Sequence, residues 1–268
     1  MLDNFKRQIN YLRISVTDRC NLRCHYCMPA EGVPKKTHRD ILSYEQMVDI
    51  AREAVDLGIT KFRITGGEPL VRLGITSLVQ RLARLEGVRE VTMTTNGVLL
   101  PQMAVQLKEA GLDRVNISLD TLDPEKYKEL TRIGDIRHVL EGIDAAIAAG
   151  FQNTKLNMVL LPGVNDGEVE AMKNFCREKG LKLQRINEYT LEDLQSVDHR
   201  YYAERPLPCG LCNRIRLTAD GLLKPCLFSD LEIPVDFTDI RRSLEQAIHH
   251  KPMNGTACST RQNWQIGG

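Results

Sequence analysis

No apolar run in this sequence approaches the roughly 20 residues that span a bilayer, and the first residues, MLDNFKRQIN, lack the apolar stretch of a secretory signal. These absences lead us to expect a cytoplasmic protein with no membrane attachment, whose thiols stay reduced unless a metal takes them. An excess of charge of one sign is lacking too, since 36 Lys and Arg stand against 35 Asp and Glu for a net charge of +1. That balance gives no reason to expect nucleic acid or an anionic membrane as a partner, and any anion site has to be local. The chain contains no low-complexity tract and no repeat of fixed period. With 268 residues, 42% of them hydrophobic, it can bury one large core, or one core plus a small appendage.

What the sequence does have is a strand-then-helix pattern. Ser43 and Gln46 read as a capping box, Met47, Ile50, Ala51, Ala54 and Val55 share one helical face, and Gly58 ends the helix. Asp123 followed by Pro124 opens another. Strand-like runs near 11–17, 61–65, 90–95, 114–120, 154–160 and 181–187 predict six βα units and a parallel sheet within residues 9–190. In LRISVT the apolar Leu12, Ile14 and Val16 alternate with Arg13, Ser15 and Thr17, and KFRIT, RVNISLD and KLNMVL alternate in the same way. A parallel strand covered on both faces reads as a nearly continuous apolar run, so a recurring polar face means that one side is wet or lined with ligand. A closed eight-stranded barrel instead packs its interior with branched apolar side chains. The expected fold is therefore α/β: an incomplete (βα)6 TIM-type barrel over residues 1–190, with helices outside and a polar cavity inside. An open sheet with one solvated face is the alternative.

The stretch RCNLRCHYCM, residues 19–28, places Cys20, Cys24 and Cys27 at the carboxyl end of the first strand, where barrel active sites are built. Thiolates so closely spaced suit a soft metal, either zinc or an iron-sulfur cluster. A structural zinc wants four protein ligands, and the only local fourth is His25, hemmed in between two of the cysteines. A cubane cluster on three thiolates leaves one iron open for chemistry. A second triplet, Cys209, Cys212 and Cys226, lies in CGLCNRIRLTADGLLKPCLF. Cys258 is a candidate fourth ligand there, which keeps a zinc ribbon open, while Cys176 reads as a buried core thiol. Arg214 and Arg216 point the same way if the chain is extended; paired guanidinium groups beside a metal suggest an anion such as phosphate. GGEP, residues 66–69, ends the second strand, either as an ordinary turn or as backbone that a ligand can approach.

The Cys-x3-Cys-x2-Cys spacing with Tyr26 before the last cysteine, joined to GGEP, resembles the signature of radical S-adenosylmethionine (SAM) enzymes. From about Tyr11 to Gly268, and most specifically in CNRIRLTADGLLKPCLF, the chain is similar to the GTP 3′,8-cyclase family of molybdenum cofactor biosynthesis. That resemblance implies two [4Fe-4S] clusters. The first, on Cys20, Cys24 and Cys27, would cleave SAM to a 5′-deoxyadenosyl radical. The second, on Cys209, Cys212 and Cys226, would meet the guanine from within a C-terminal extension, residues 191–268, that ends in a Gly267–Gly268 tail reaching into the barrel. It further implies SAM contacts from Tyr26, Gly66, Gly67, Glu68 and Ser118, with Thr190 standing where a methionine is usual. Arg13, Arg63, Thr94, Lys155, Arg214 and Arg216 would hold GTP. Lys61 and Arg185 are further candidates that also read as strand-end surface charges. Abstraction of hydrogen from C3′ of GTP and attack of that carbon on C8 is the implied reaction. A reductant such as flavodoxin or ferredoxin and a downstream pterin synthase are the implied partners, and the oligomeric state stays open, a homodimer included. Only about 20 residues separate Glu188 from Cys209, where the family has several tens more. This departure keeps open a paralogue acting on another nucleotide; a radical SAM peptide maturase with an auxiliary cluster is the other alternative.

Overall fold

The computed structural model describes residues 1–34, 36–192, 203–204 and 206–267. Six parallel strands follow one another in space in the order in which they occur in the chain: β1 (Tyr11–Ser15), β2 (Lys61–Thr65), β3 (Glu90–Thr95), β4 (Arg114–Ser118), β5 (Lys155–Leu160) and β6 (Lys182–Asn187). The helices between them are α1 (Tyr44–Asp56), α2 (Ile75–Ala83), α3 (Leu100–Glu109), the pair α4 (Pro124–Thr131) and α5 (Ile136–Ala148), and α6 (Val169–Lys179). The expected caps are in place. Ser43 and Gln46 form the capping box of α1, Gly58 takes a left-handed φ of 86° just beyond it, and the Asp123 side chain caps α4.

Past the cysteine-rich segment, β7 (Arg214–Leu217) pairs in parallel with β1. Two short antiparallel strands, β8 (Leu222–Lys224) and β9 (Ile233–Pro234), extend the sheet beyond it, and α7 (Ile240–His249) and α8 (Asn263–Ile266) finish the described chain. The sequence predicts six parallel strands within residues 9–190, and β7 adds a seventh. The four residues of RIRL, hemmed by a turn at the cysteines and another at Asp220 and Gly221, are too short a run for periodicity to register.

The alternation read in the strands separates two environments. Leu12, Ile14, Phe62, Ile64, Val115, Ile117, Leu156 and Met158 are fully buried in one core with Met47, Ile50, Leu78, Leu107 and Ile143 of the surrounding helices. The alternating polar residues point the other way. Arg13, Arg63, Thr94, Ser118, Asn157, Gln184, Arg214 and Arg216, one or two from each of seven strands, line a single cavity of about 310 Å³. A flat sheet could not aim seven strands at one space. The sheet is curved into a partial barrel whose edges, β6 and β9, do not pair with each other.

Candidate active site

Strand register builds the basic side of this cavity. Arg13 of β1 lies opposite Arg63 of β2 and opposite Arg216 of β7, so three guanidinium groups share one level across adjacent strands. One step earlier, Tyr11 lies opposite Arg214, and its ring sits 5.6 Å from the guanidinium carbons of both Arg63 and Arg214. Burial, reinforced by Arg216, lowers Arg13 to about 9, and burial likewise lowers Arg63 and Arg216. Nε of Arg214 and Nε of Arg216 are buried without an acceptor among the described residues. Buried donors of one charge, converging on a cavity, form a site for a polyanion.

The chain's own tail meets the same row. The Gly267 carbonyl accepts from Nη2 of Arg13 at 2.9 Å and from the Thr65 hydroxyl at 2.8 Å. Gly267 holds a φ of 81°, and a Cβ there would come within 2.8 Å of Thr65 and 3.3 Å of the Gly66 nitrogen. Only glycine fits that path without strain. Gly268 lies outside the described residues.

The first cysteine triplet is held from both sides. The Gly67 N–H donates to the Thr17 carbonyl at 2.7 Å and the Glu68 N–H to the Arg19 carbonyl at 2.8 Å, so the turn after β2 carries the root of the cysteine loop. A Cβ on Gly66 would lie 2.5 Å from the Thr17 oxygen and one on Gly67 2.4 Å from the Arg19 oxygen. The glycines of GGEP are therefore needed first for this close backbone packing, and only second for an open cavity wall. On the far side, the Arg23 and His25 N–H groups donate to carbonyls of Thr131 and Leu130, and Nη1 of Arg132 donates to the carbonyls of Arg23 and Met28. The Tyr26 hydroxyl donates to Asp120 at 2.6 Å, whose other oxygen accepts from the Val159 N–H. Burial raises Asp120 to about 6.

Cys20, Cys24 and Cys27 all face the cavity, and so do Cys209, Cys212 and Cys226. Burial pushes the Cys20 thiol up to about 11 and the Cys27 thiol to about 12. A metal centre would have to displace protons to bind there. Cys212 differs: burial pushes it up, but the Lys251 ammonium, the Arg214 N–H and the nearby guanidinium charges bring it down to about 7. Lys251 is buried, and its ammonium donates to the carbonyls of Arg214 and Pro225 at 2.9 and 2.8 Å, tying β7 to the Cys226 loop. Among the described residues no three Cys, His, Asp or Glu side chains close on a single-ion position. A cubane, which takes each thiolate on a different iron, needs no common point, and an all-thiol donor set suits it. Cys258, 1% exposed, packs with Leu227, Phe228 and Ile266 rather than facing the cavity, and Cys176 is a buried thiol on α6.

Of the residues singled out in the sequence, Arg13, Arg63, Thr94, Arg214, Arg216, Tyr26, Gly66, Gly67, Ser118 and both triplets line the cavity. Lys61 is exposed at the start of β2 and Thr190 is exposed beside the cavity, and neither lines it. Arg185 pairs with Glu204 at 2.6 Å, and Lys155, which does not itself line the cavity, donates to the wall residue Gln184 at 3.3 Å. Glu68 lies behind the wall, where its carboxylate accepts from the Leu70 and Asn96 N–H groups and the Thr95 hydroxyl. Sequence reasoning missed Thr65, Asn96, Asn157, Gln184, Asn187, Tyr189 and Lys251. Thr65, Asn157 and Gln184 were available from the alternation, since each sits two residues from a wall residue or a predicted one on its own strand.

Comparison with known proteins identifies the family. The Radical SAM superfamily profile matches residues 14–176. A GTP 3′,8-cyclase of Geobacter sulfurreducens is 47% identical over 273 residues, covering 86% of this chain and 84% of its own. Another, of Petrotoga mobilis, is 40% identical over 304 residues, covering 95% and 94%. That span exceeds the 268 residues here, so the relative carries segments that this chain lacks. Streptococcus suis SuiB, in a crystal structure bound to S-adenosylmethionine, superposes with a TM-score of 0.68 over 92% of this chain and 65% of that chain; at 17% identity this is a likeness of fold. A partial barrel with a cysteine triplet at its first strand end, matched at these identities over nearly all of its length, belongs to the GTP 3′,8-cyclase family of radical SAM enzymes.

Proposed function

We propose that this chain converts GTP to (8S)-3′,8-cyclo-7,8-dihydroguanosine 5′-triphosphate, the first step of molybdenum cofactor biosynthesis. The observation that carries the reading is the meeting of two cysteine triplets and a row of arginines in one cavity. As a radical SAM enzyme the protein uses a [4Fe-4S] cluster and SAM, which supply a 5′-deoxyadenosyl radical for hydrogen abstraction. In our reading Cys20, Cys24 and Cys27 hold that cluster, and Cys209, Cys212 and Cys226 hold a second one. Tyr26, Gly66, Gly67 and Ser118 then border SAM. The guanidinium groups of Arg13, Arg63, Arg214 and Arg216 neutralise the triphosphate, while the Gly267 carbonyl orients Arg13 toward it. Between the triplets the ribose would lie with C3′ toward the SAM side and the base toward Cys212. The barrel wall keeps bulk water from a carbon radical formed there. Electrons would come from an external flavodoxin or ferredoxin, and a pterin synthase would take the product.

Anaerobic incubation with GTP, SAM and dithionite, followed by mass spectrometry, tests the reading. Wild-type protein should yield the cyclic nucleotide and 5′-deoxyadenosine together, and Arg216→Ala should lower GTP affinity or turnover at least tenfold, as expected for the loss of a charge-assisted bond of about 1.5 to 3 kcal/mol. Formation of 5′-deoxyadenosine that does not respond to GTP would overturn it.

A further inference from the structure

The tail reaches Arg13 and Thr65 by way of two anchors that lie outside the cavity. Asp230, on the loop between β8 and β9, accepts four hydrogen bonds from the start of the tail. These come from the Ser259 N–H at 2.7 Å, the Ser259 hydroxyl at 2.8 Å, and the Thr260 N–H and hydroxyl, both at 3.0 Å. Arg261 follows at once. Its Nε and Nη2 fork onto the two oxygens of Glu232 at 2.8 and 3.1 Å, while Nη1 takes Asp220 at 2.8 Å. Neither acid is a loose surface group. Glu232 is also paired at 3.1 Å with Lys224, whose side chain is fully buried, and Asp220 with Lys36, which reaches Asp18 beside the first cysteine triplet. Beyond Arg261 come Trp264, 8% exposed, Ile266, fully buried, and then the Gly267 carbonyl.

From this we infer that Arg261 and Asp230 are positioning residues that hold the tail at the height at which the Gly267 carbonyl meets Arg13 and Thr65. A planar fork on one carboxylate with its third nitrogen on another fixes both the place and the direction of the chain, which a single contact does not. Five residues separate Arg261 from Gly267, so releasing the fork frees the short helix α8 and lets the carbonyl leave the arginine row. Asp230 and Glu232 stand a few residues after Cys226, so one loop carries both a thiol of the second triplet and two of the three acceptors for the tail. The effect on turnover rests on the nucleotide reading above, whereas the anchoring does not.

The chain contains one tryptophan, Trp264, and it lies in the anchored segment. Its emission therefore reports the tail alone. In the cluster-loaded enzyme, Arg261→Met should shift the Trp264 emission to the red and raise its quenching by acrylamide at least twofold. The KM for GTP should rise about tenfold, with 5′-deoxyadenosine formation running ahead of product. Arg261→Lys, which keeps the charge but loses the fork, should fall between. Asp230→Ala, a change at an exposed side chain, should move Trp264 in the same direction and decides the matter if the Arg261 variant does not fold. A Trp264 signal unchanged in both variants overturns the anchoring. If Trp264 responds while wild-type protein leaves GTP unconverted, the anchoring stands and the nucleotide reading fails.

Discussion

Asp120 and Glu68 are carboxylates that burial has pushed upward, to about 6 and about 7. In an unfolded chain both would release their protons near pH 4. Between about pH 4 and pH 7 the folded protein thus keeps protons that the unfolded chain has lost. The stability linked to them is fully present below pH 4 and disappears as the pH rises through 6 and then 7. Asp120→Asn should keep the links to Tyr26 and Val159, because the amide can donate to the phenol oxygen and accept from the Val159 N–H. We expect urea unfolding of the anaerobic enzyme to depend less on pH in this variant, by on the order of 2 kcal/mol between about pH 4 and 6. A slope equal to that of the wild type would assign the dependence to other groups. Both carboxylates serve from behind the cavity: Asp120 fixes the Tyr26 ring, and Glu68 holds the Asn96 N–H, while the Asn96 side chain donates to Asn21 at 2.7 Å beside Cys20.

The elements were largely legible in the sequence, because period-2 alternation and helix caps are local signals. All six predicted strands appear within two residues of their expected bounds, and the polar faces read from Arg13, Arg63 and Ser118 are the cavity wall. The seventh parallel strand was not legible, since β7 has four residues and its partner β1 lies some 200 residues upstream. Tyr189 and Lys251 carry no local pattern either; they belong to the wall only because loops distant in sequence pack there. Packing between α3 and α5 illustrates how such loops are fixed. Gly142 of α5 faces the turn after β3, where an added Cβ would lie 2.1 Å from the Gly97 carbonyl oxygen. Alanine favours a helix by about 1 kcal/mol over glycine, but this contact is with backbone and cannot yield by rotation. Gly142→Ala should therefore lower stability by about 1–3 kcal/mol, and the melting temperature by roughly 5 °C. Because Asn96 precedes Gly97, iron retention at the first triplet should fall as well; full iron content with an unchanged melting temperature would refute this.

Across the whole molecule, two triplets about 180 residues apart in sequence share one cavity, and our reading divides the labour between them. Cys24→Ser should abolish SAM cleavage. Cys212→Ser should leave it running while the nucleotide product disappears, with iron falling from about eight to about four per chain. Equal loss of SAM cleavage in both variants would count against the division. The pairing of β1 with β7 also has a bearing on how the protein is made. Arg216 is added about 200 residues after its neighbour Arg13, which at 5–20 residues per second is roughly 10–40 s. During that interval one edge of β1 has no strand to cover it, an invitation to pair with another nascent chain. A prematurely terminated chain would carry the first cysteine triplet but half an arginine row and no tail. In our reading, the part that starts radical chemistry is thus translated ahead of the parts that direct it.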